Sequence, residues 1–211
     1  MMDLLYDAAP YIGRFQNSVF VIKIGGEILL SPERLLALGR QLHVLWQIGI
    51  HPVVVHGAGP QLDRALKEVD HASTKIDGRR VTDAVTLEHA KRTFRGTANL
   101  NLVTALRGQG LPAVGVSGAD AGLLLLQKRP PVEIGGNMVD FGYVGDPVKV
   151  APDLLRTLIN DRFVPVVCSL GVDATLQILN VNADTMACEL AVATNAQKLM
   201  FVTNPNGILH D

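Results

Sequence analysis

Leu179-Asn180-Val181-Asn182-Ala183-Asp184 joins an apolar run, Thr175 to Leu179, to a helical pattern from Thr185 to Thr194. A strand that hands two amides and a carboxylate to a helix start is a place to hold a polar ligand. Asn182 is placed to cap the helix, and the N–H groups of a helix start favour anions. Two other strand ends carry matching chemistry: Val21-Ile22-Lys23-Ile24-Gly25-Gly26 and Val55-His56-Gly57-Ala58-Gly59-Pro60. A parallel sheet gathers such ends at one edge. The fold class predicted is α/β: an open, mostly parallel sheet sandwiched between helices in three αβα layers.

Working outward, strands and helices alternate along the chain. Strands are predicted at Ser18 to Ile24, His51 to Val55, Leu111 to Ser117, Phe163 to Cys168, Thr175 to Leu179 and Lys198 to Thr203. Ser31-Pro32-Glu33 reads as a helix start: a capping hydroxyl, a proline at the first helical position, then an acid. That helix runs to about Gln47, with Leu35, Leu38, Leu42 and Leu45 at helical spacing, and Gly49 ends it. Further helices are predicted at Pro60 to Val69, at Asp83 to Phe94 with Thr82 as cap, at Ala98 to Leu106 after Gly96, at Pro152 to Ile159 and at Asn182 to Thr194. Gly122 to Lys128, Val132 to Ile134 and Met138 to Val144 read as short strands of a hairpin excursion, turning at Gly135-Gly136-Asn137. Met1 to Gln16 places Leu4, Leu5, Ala8, Tyr11, Ile12 and Phe15 near one helical face. This segment packs either on another subunit, helping to build a homo-oligomer, or on its own domain. A central strand is an unusual last element, so the turn Asn204-Pro205-Asn206-Gly207 and the end at Asp211 suggest that a C-terminal portion is missing.

The 211 residues are 48% apolar and 18% charged with a net charge of −1, which allows a sizeable core and gives no basic stripe for nucleic acid. The apolar runs are far short of a membrane span, and the N-terminus has no basic, continuously apolar leader. Cys168 and Cys188 lack metal-ligand spacing and read as two buried thiols in a reducing compartment. The chain therefore reads as soluble and cytoplasmic, with no metal site.

Lys23 ends a buried strand directly before two glycines. Such glycines let a backbone approach a ligand and present N–H groups to an anion, and the lysine adds a compact positive charge for a moving phosphoryl group. A surface lysine before an ordinary turn is the alternative. Gly57-Ala58-Gly59 exposes donors at a helix start, or else serves tight strand–helix packing. Asp63, one turn into that helix, reads as solvent-facing, and His56 as a satisfied turn histidine. Gly78-Arg79-Arg80-Val81-Thr82-Asp83 offers one guanidinium to a carboxylate and leaves the other in solvent. Ser117-Gly118-Ala119-Asp120 fits turn formation as well as ligand contact. Asp184 is a first-turn acid, a partner for Lys23, or both.

Together these stretches resemble the amino acid kinase family, and within it the N-acetylglutamate kinase branch. The phrases around Lys23, Gly57, Arg80 and Asp184, with Gly115-Val116-Ser117-Gly118-Ala119-Asp120 and Gly142-Tyr143-Val144-Gly145, fall in that family's order over roughly residues 18 to 211. Tyr11-Ile12-Gly13-Arg14-Phe15, Gly59-Pro60-Gln61-Leu62-Asp63 and Ser169-Leu170-Gly171 are similar to its bifunctional synthase/kinase members, where an acetyltransferase domain follows. The resemblance implies ATP- and Mg2+-dependent phosphorylation of the γ-carboxylate of N-acetyl-L-glutamate in arginine biosynthesis, with arginine as an effector. It implies that Lys23 stabilises the moving phosphoryl group and that Asp184 organises the lysines. Gly25 and Gly26 then contact the nucleotide, Gly57, Ala58 and Gly59 hold the reacting carboxylate, Arg80 binds the α-carboxylate and Asn180 contacts the acetylated amino acid. It divides the chain into an N-terminal helical segment (1–17), a substrate-binding lobe (18–170) and the beginning of a nucleotide-binding lobe (171–211). The family's second catalytic lysine falls beyond residue 211, Ala58 replaces a common glycine, and Asn204 replaces a common aspartate. A rival reading is an arginine-sensing regulatory domain without kinase activity. Another is a relative acting on a different acidic amino acid.

Overall fold

The computed structural model describes residues 2–203. Helix α1 (Met2–Phe15) leads into strand β1 (Val19–Ile24), whose β-branched and aromatic residues suit a strand covered on both faces. Ser31 caps α2 (Pro32–Gln47), its side chain accepting from the Arg34 N–H, and Gly49 turns the chain at φ +89° into β2 (His51–His56). Helix α3 (Gly59–Lys67) is followed by a small hairpin of β3 (Lys75–Ile76) and β4 (Arg79–Arg80). Helix α4 (Ala84–Ala90), a π-helical stretch (Lys91–Ala98) and α5 (Asn99–Arg107) form one continuous rod before β5 (Ala113–Ser117). Then come β6 (Leu124–Lys128), β7 (Val132–Ile134), β8 (Asn137–Val139), β9 (Gly145–Val150) and helix α6 (Asp153–Asn160). The chain closes with β10 (Val164–Cys168), β11 (Leu170–Val172), β12 (Ile178–Asn180), α7 (Ala183–Ala193) and β13 (Lys198–Val202).

Five strands form one sheet in the order β13-β1-β2-β10-β5, and every neighbouring pair is parallel. Lys23 lies opposite Val55, and Ile24 opposite His56. Because side chains alternate along a strand, each strand serves two faces. Phe20, Ile22 and Ile24 join Leu38 and Leu42 of α2 and Leu102 and Leu106 of α5 in one buried cluster. Val21, Val53 and Val55 join Leu155 of α6 and Met186 and Leu190 of α7 in the other. The expected three-layer arrangement is therefore present. A second, four-stranded sheet, β12-β11-β6-β9, is mixed and flanks the first.

Several local expectations fail for identifiable reasons. Asp83, not Thr82, caps α4: its Oδ1 accepts the Thr86 N–H at 2.7 Å, while Thr82 is fully buried. The predicted break at Gly96 is bridged by the π turn, which keeps Thr93, Phe94 and Ala98 buried along one side. The strand predicted from Thr175 shrinks to Ile178–Asn180. The Asp173 carboxylate captures the Thr175 and Gln177 N–H groups at 2.8 and 3.0 Å and bends that run into a turn. The strand carrying Asn180 therefore lies in the mixed sheet, not among the parallel strands. β9 and β11 were not foreseen: one carries Pro147 and Lys149 along an edge, the other is only three residues long. The division drawn at 170/171 falls inside β11. The turn at Asn204 to Gly207 lies outside the described residues.

The turn at Gly142 ties the segment after the β3–β4 hairpin to the end of β12. Tyr143 N–H donates to the Thr82 carbonyl at 2.7 Å, and the Asn180 N–H donates to the Tyr143 carbonyl at 2.9 Å. Gly142 sits at φ +72°, and a Cβ there would collide with the Thr82 carbonyl oxygen. Gly142→Ala should cost about 2 kcal/mol or more in stability by combining a strained φ with overpacking. Chemical denaturation measures it; a wild-type midpoint would contradict this packing.

Candidate active site

Lys23 shares the strand parity of Val21, so its side chain faces α7. Its Nζ lies 2.8 Å from Asp184 Oδ1, with the lysine side chain 17% and the aspartate 53% exposed. A pair this open adds little to stability. Its consequence is positional: it holds an ammonium at the start of α7. The expected cap is in place, since Asn182 Oδ1 accepts the N–H groups of Asp184 and Thr185, both at 2.9 Å.

Beside the pair opens a cavity of about 390 Å³, within the size range of small-molecule sites. Gly57, Ala58, Gly59, Arg80 and Asn180 all line it. Ala183 and Thr185 also line it, so Asp184 stands between two wall residues. The starts of α3 and α7 both meet this space, and two helix N-termini favour a negative guest. Gly57 marks their close approach: a Cβ there would lie 3.5 Å from the Ala183 Cβ.

Gly25 and Gly26 are not in that wall. The Gly25 N–H already donates to the Val202 carbonyl at 3.0 Å, and the Gly26 carbonyl accepts from Gln61 Nε2 at 2.8 Å. A Cβ on Gly26 would meet Pro60 Cδ at 2.7 Å, so this glycine lets the ends of β1 and α3 touch.

Arg80, with a side chain 9% exposed, is held from several sides. Nη1 pairs with Asp63 Oδ1 at 2.6 Å, Nη2 donates to the Gly59 carbonyl at 3.3 Å, and Nη1 also donates to Ser73 Oγ. Lys75 Nζ and Ser73 Oγ complete the shell of Asp63 at 2.8 and 3.0 Å. Asp63 is thus not the solvent-facing acid its helix position suggested, because the β3–β4 hairpin folds two cations onto it. Burial would raise its pKa, but the hydrogen bonds from Arg80 and Lys75 outweigh that and hold it at about 2.

Arg129 is a wall residue that gave no usable signal in the sequence. Arg129, at the end of β6, grips Asp146 through Nη2 at 2.5 Å and Nε at 3.1 Å, and lies 5.6 Å over the Phe141 ring. Ser169 is 2% exposed and lines the same cavity. Asn180 Nδ2 donates to the buried Thr82 Oγ1 at 3.1 Å, which anchors this side chain at the cavity wall. The Ser117–Asp120 phrase forms a turn outside this wall, its Asp120 Oδ2 accepting from Ser117 N and Oγ at 2.5 and 2.7 Å. Cys168 is buried and its thiol is pushed up to about 12, chiefly by that burial. Cys188 corrects the expectation of two buried thiols: it is exposed, on the side of α7 away from Met186, Ala187 and Leu190. Among the described residues no three His, Cys, Asp or Glu side chains cluster to hold a metal ion, and no helix is long and apolar enough to cross a membrane.

Residues 18–211 match the model of the amino acid kinase family. The acetylglutamate kinase of Methanothrix thermoacetophila is 39% identical over 209 residues, covering 99% of this chain and 72% of that protein. That of Myxococcus xanthus is 41% identical over 211 residues, covering 97% and 68%. The N-acetylglutamate synthase of Neisseria gonorrhoeae, solved with coenzyme A and L-arginine, superposes with a TM-score of 0.84 at 27% identity, covering 99% of this chain and 49% of that one.

The Asp63 clamp has a pH signature. A carboxyl whose folded pKa is depressed contributes stability above its unfolded pKa and loses it as pH falls through the folded value. The contribution should be complete above about pH 4 and fade toward pH 2. A carboxyl carbon NMR titration should place Asp63 near 2, and Arg80→Ala should return it toward the ordinary range. An unchanged midpoint in that variant would contradict the clamp.

Proposed function

The chain belongs to the amino acid kinase family, and from that footing we propose that it transfers the γ-phosphoryl group of ATP to the γ-carboxylate of N-acetyl-L-glutamate, a step of arginine biosynthesis in the cytoplasm. The observation that carries this reading is the Lys23–Asp184 pair, 2.8 Å across, beside a cavity lined by Gly57, Ala58, Gly59, Arg80 and Asn180. Arg80 receives the substrate α-carboxylate, its guanidinium already fixed by Asp63 so that little order is lost on binding. Asn180 contacts the acetylamino group. The N–H groups of Gly57, Ala58 and Gly59 take the reacting carboxylate. Lys23 neutralises charge on the moving phosphoryl oxygens, and Asp184 keeps the ammonium aimed.

Bound ATP with Mg2+ supplies the electrophilic phosphorus. A nucleotide-bound Mg2+ takes most of its ligands from phosphate and water, so one carboxylate such as Asp184 is a sufficient protein contribution. With the Gly25 N–H engaged by Val202, the contribution of the first glycine loop falls to Gly26. No protein nucleophile is needed, because the substrate carboxylate attacks. Rate enhancement then comes from alignment and charge neutralisation.

A second reading is supported by the superposition on the synthase: this chain as the arginine-responsive, non-catalytic half of a longer protein. The retained lysine–aspartate pair and the identity to the kinases support the first. Homo-oligomer formation belongs to either.

Calorimetry discriminates. N-acetyl-L-glutamate should bind more tightly than L-glutamate, and Arg80→Ala should weaken it by about tenfold or more, the worth of a charge-assisted bond. Absence of N-acetyl-L-glutamate binding would refute the substrate assignment. In hydroxamate trapping of the acyl phosphate, Lys23→Met should lower turnover by at least about a hundredfold. Near-normal turnover would remove Lys23 from the chemistry.

A further inference from the structure

His56, the last residue of β2, is fully buried and has the opposite strand parity from Val55 and Lys23. It therefore faces α5, where it meets Asn99, 1% exposed. Asn99 Nδ2 lies 3.0 Å from His56 Nε2 and 2.9 Å from the Val166 carbonyl, and Asn99 Oδ1 accepts from Arg95 Nη1 at 3.1 Å. These partners fix the amide's orientation, since a carbonyl only accepts and a guanidinium only donates. Nδ2 is then the donor toward His56, so Nε2 is an acceptor and the ring proton sits on Nδ1. That proton points at the Gly57 carbonyl, 3.2 Å away. Gly115 makes the arrangement possible, because a Cβ there would occupy the space of Asn99 Oδ1. The relay continues outward through Arg95, whose Nε is 3.8 Å from Asp120 Oδ2.

The described chain has no cis peptide bond. In a trans peptide the carbonyl of one residue and the N–H of the next point to opposite sides. A Gly57 carbonyl held toward His56 therefore turns the Ala58 N–H the other way, and Gly57 and Ala58 both line the cavity. We propose that His56 is a positioning residue that aims the Ala58 N–H into the cavity, with Asn99 selecting the ring tautomer that does so. This rests on the substrate reading above, in which that N–H meets the reacting carboxylate. Burial agrees with a neutral ring: it pulls the His56 pKa down to about 4, against the hydrogen bond to Gly57.

Two measurements test it. Histidine 15N NMR of the unmutated chain at pH 7 should show His56 as the neutral Nδ1–H tautomer; an Nε2–H tautomer or an imidazolium would overturn the proposal. Calorimetry with N-acetyl-L-glutamate then separates two variants. His56→Asn keeps an N–H donor at the Nδ1 position and should stay within about threefold of wild-type affinity. His56→Gln keeps only the outer acceptor and should bind about tenfold more weakly, the worth of a hydrogen bond to a charged group. Wild-type binding with equal affinities in both variants, or with the reverse order, overturns this proposal alone. Failure of the wild type to bind overturns it together with the substrate reading.

Discussion

Parallel pairing of β1 between β13 and β2 is the constraint from which the site follows. Parallel strands end on the same side, so β1 and β2, about thirty positions apart in the chain, deliver Lys23 and Gly57 to one edge. The two-residue period then distributes the work. Lys23 faces α7 and its aspartate. His56, one register step past Val55, faces α5 and its asparagine. A one-residue slip between β1 and β2 would move a charged lysine into the Leu42–Leu102 cluster and destroy both arrangements.

Around that edge three basic side chains are each paired with an aspartate. Arg80 is held by Asp63, Arg129 by Asp146 and Lys23 by Asp184. Each cation has one carboxylate partner, and the aspartates of these pairs are more open to solvent than the basic side chains they hold. Such pairs are weak contributors to folding, but they pre-set cation geometry before any ligand arrives. The helix starts of α3 and α7 add oriented N–H groups to the same space. An anionic amino acid thus meets partners that need little reorganisation.

Much of this was legible in the sequence because it rests on local rules. β-branched runs ending in glycine marked β1, Ser31-Pro32-Glu33 marked α2, and Asn182 marked the start of α7. The five residues expected to hold substrate do line one cavity, because each sits at an element end that the fold gathers. What escaped was set by distant partners. Asp63 looked solvent-facing until the β3–β4 hairpin brought Arg80 and Lys75 to it. Arg129 sits in an unremarkable Lys-Arg-Pro-Pro run and reaches the cavity only because β6 pairs with β9. Asn180 was expected from the main sheet, but the Asp173 turn shortens its strand and antiparallel pairing with β11 moves it to the mixed sheet. The π turn after Ala90 has no simple sequence signature, yet it brings Asn99 under His56.

The most direct test is a crystal structure with N-acetyl-L-glutamate and a non-hydrolysable ATP analogue bound together. Lys23 Nζ should lie within hydrogen-bonding distance of both Asp184 and the phosphoryl oxygens, with the amino acid's α-carboxylate on Arg80. Ligands seated elsewhere, or an Nζ turned away from the reacting atoms, would contradict the account.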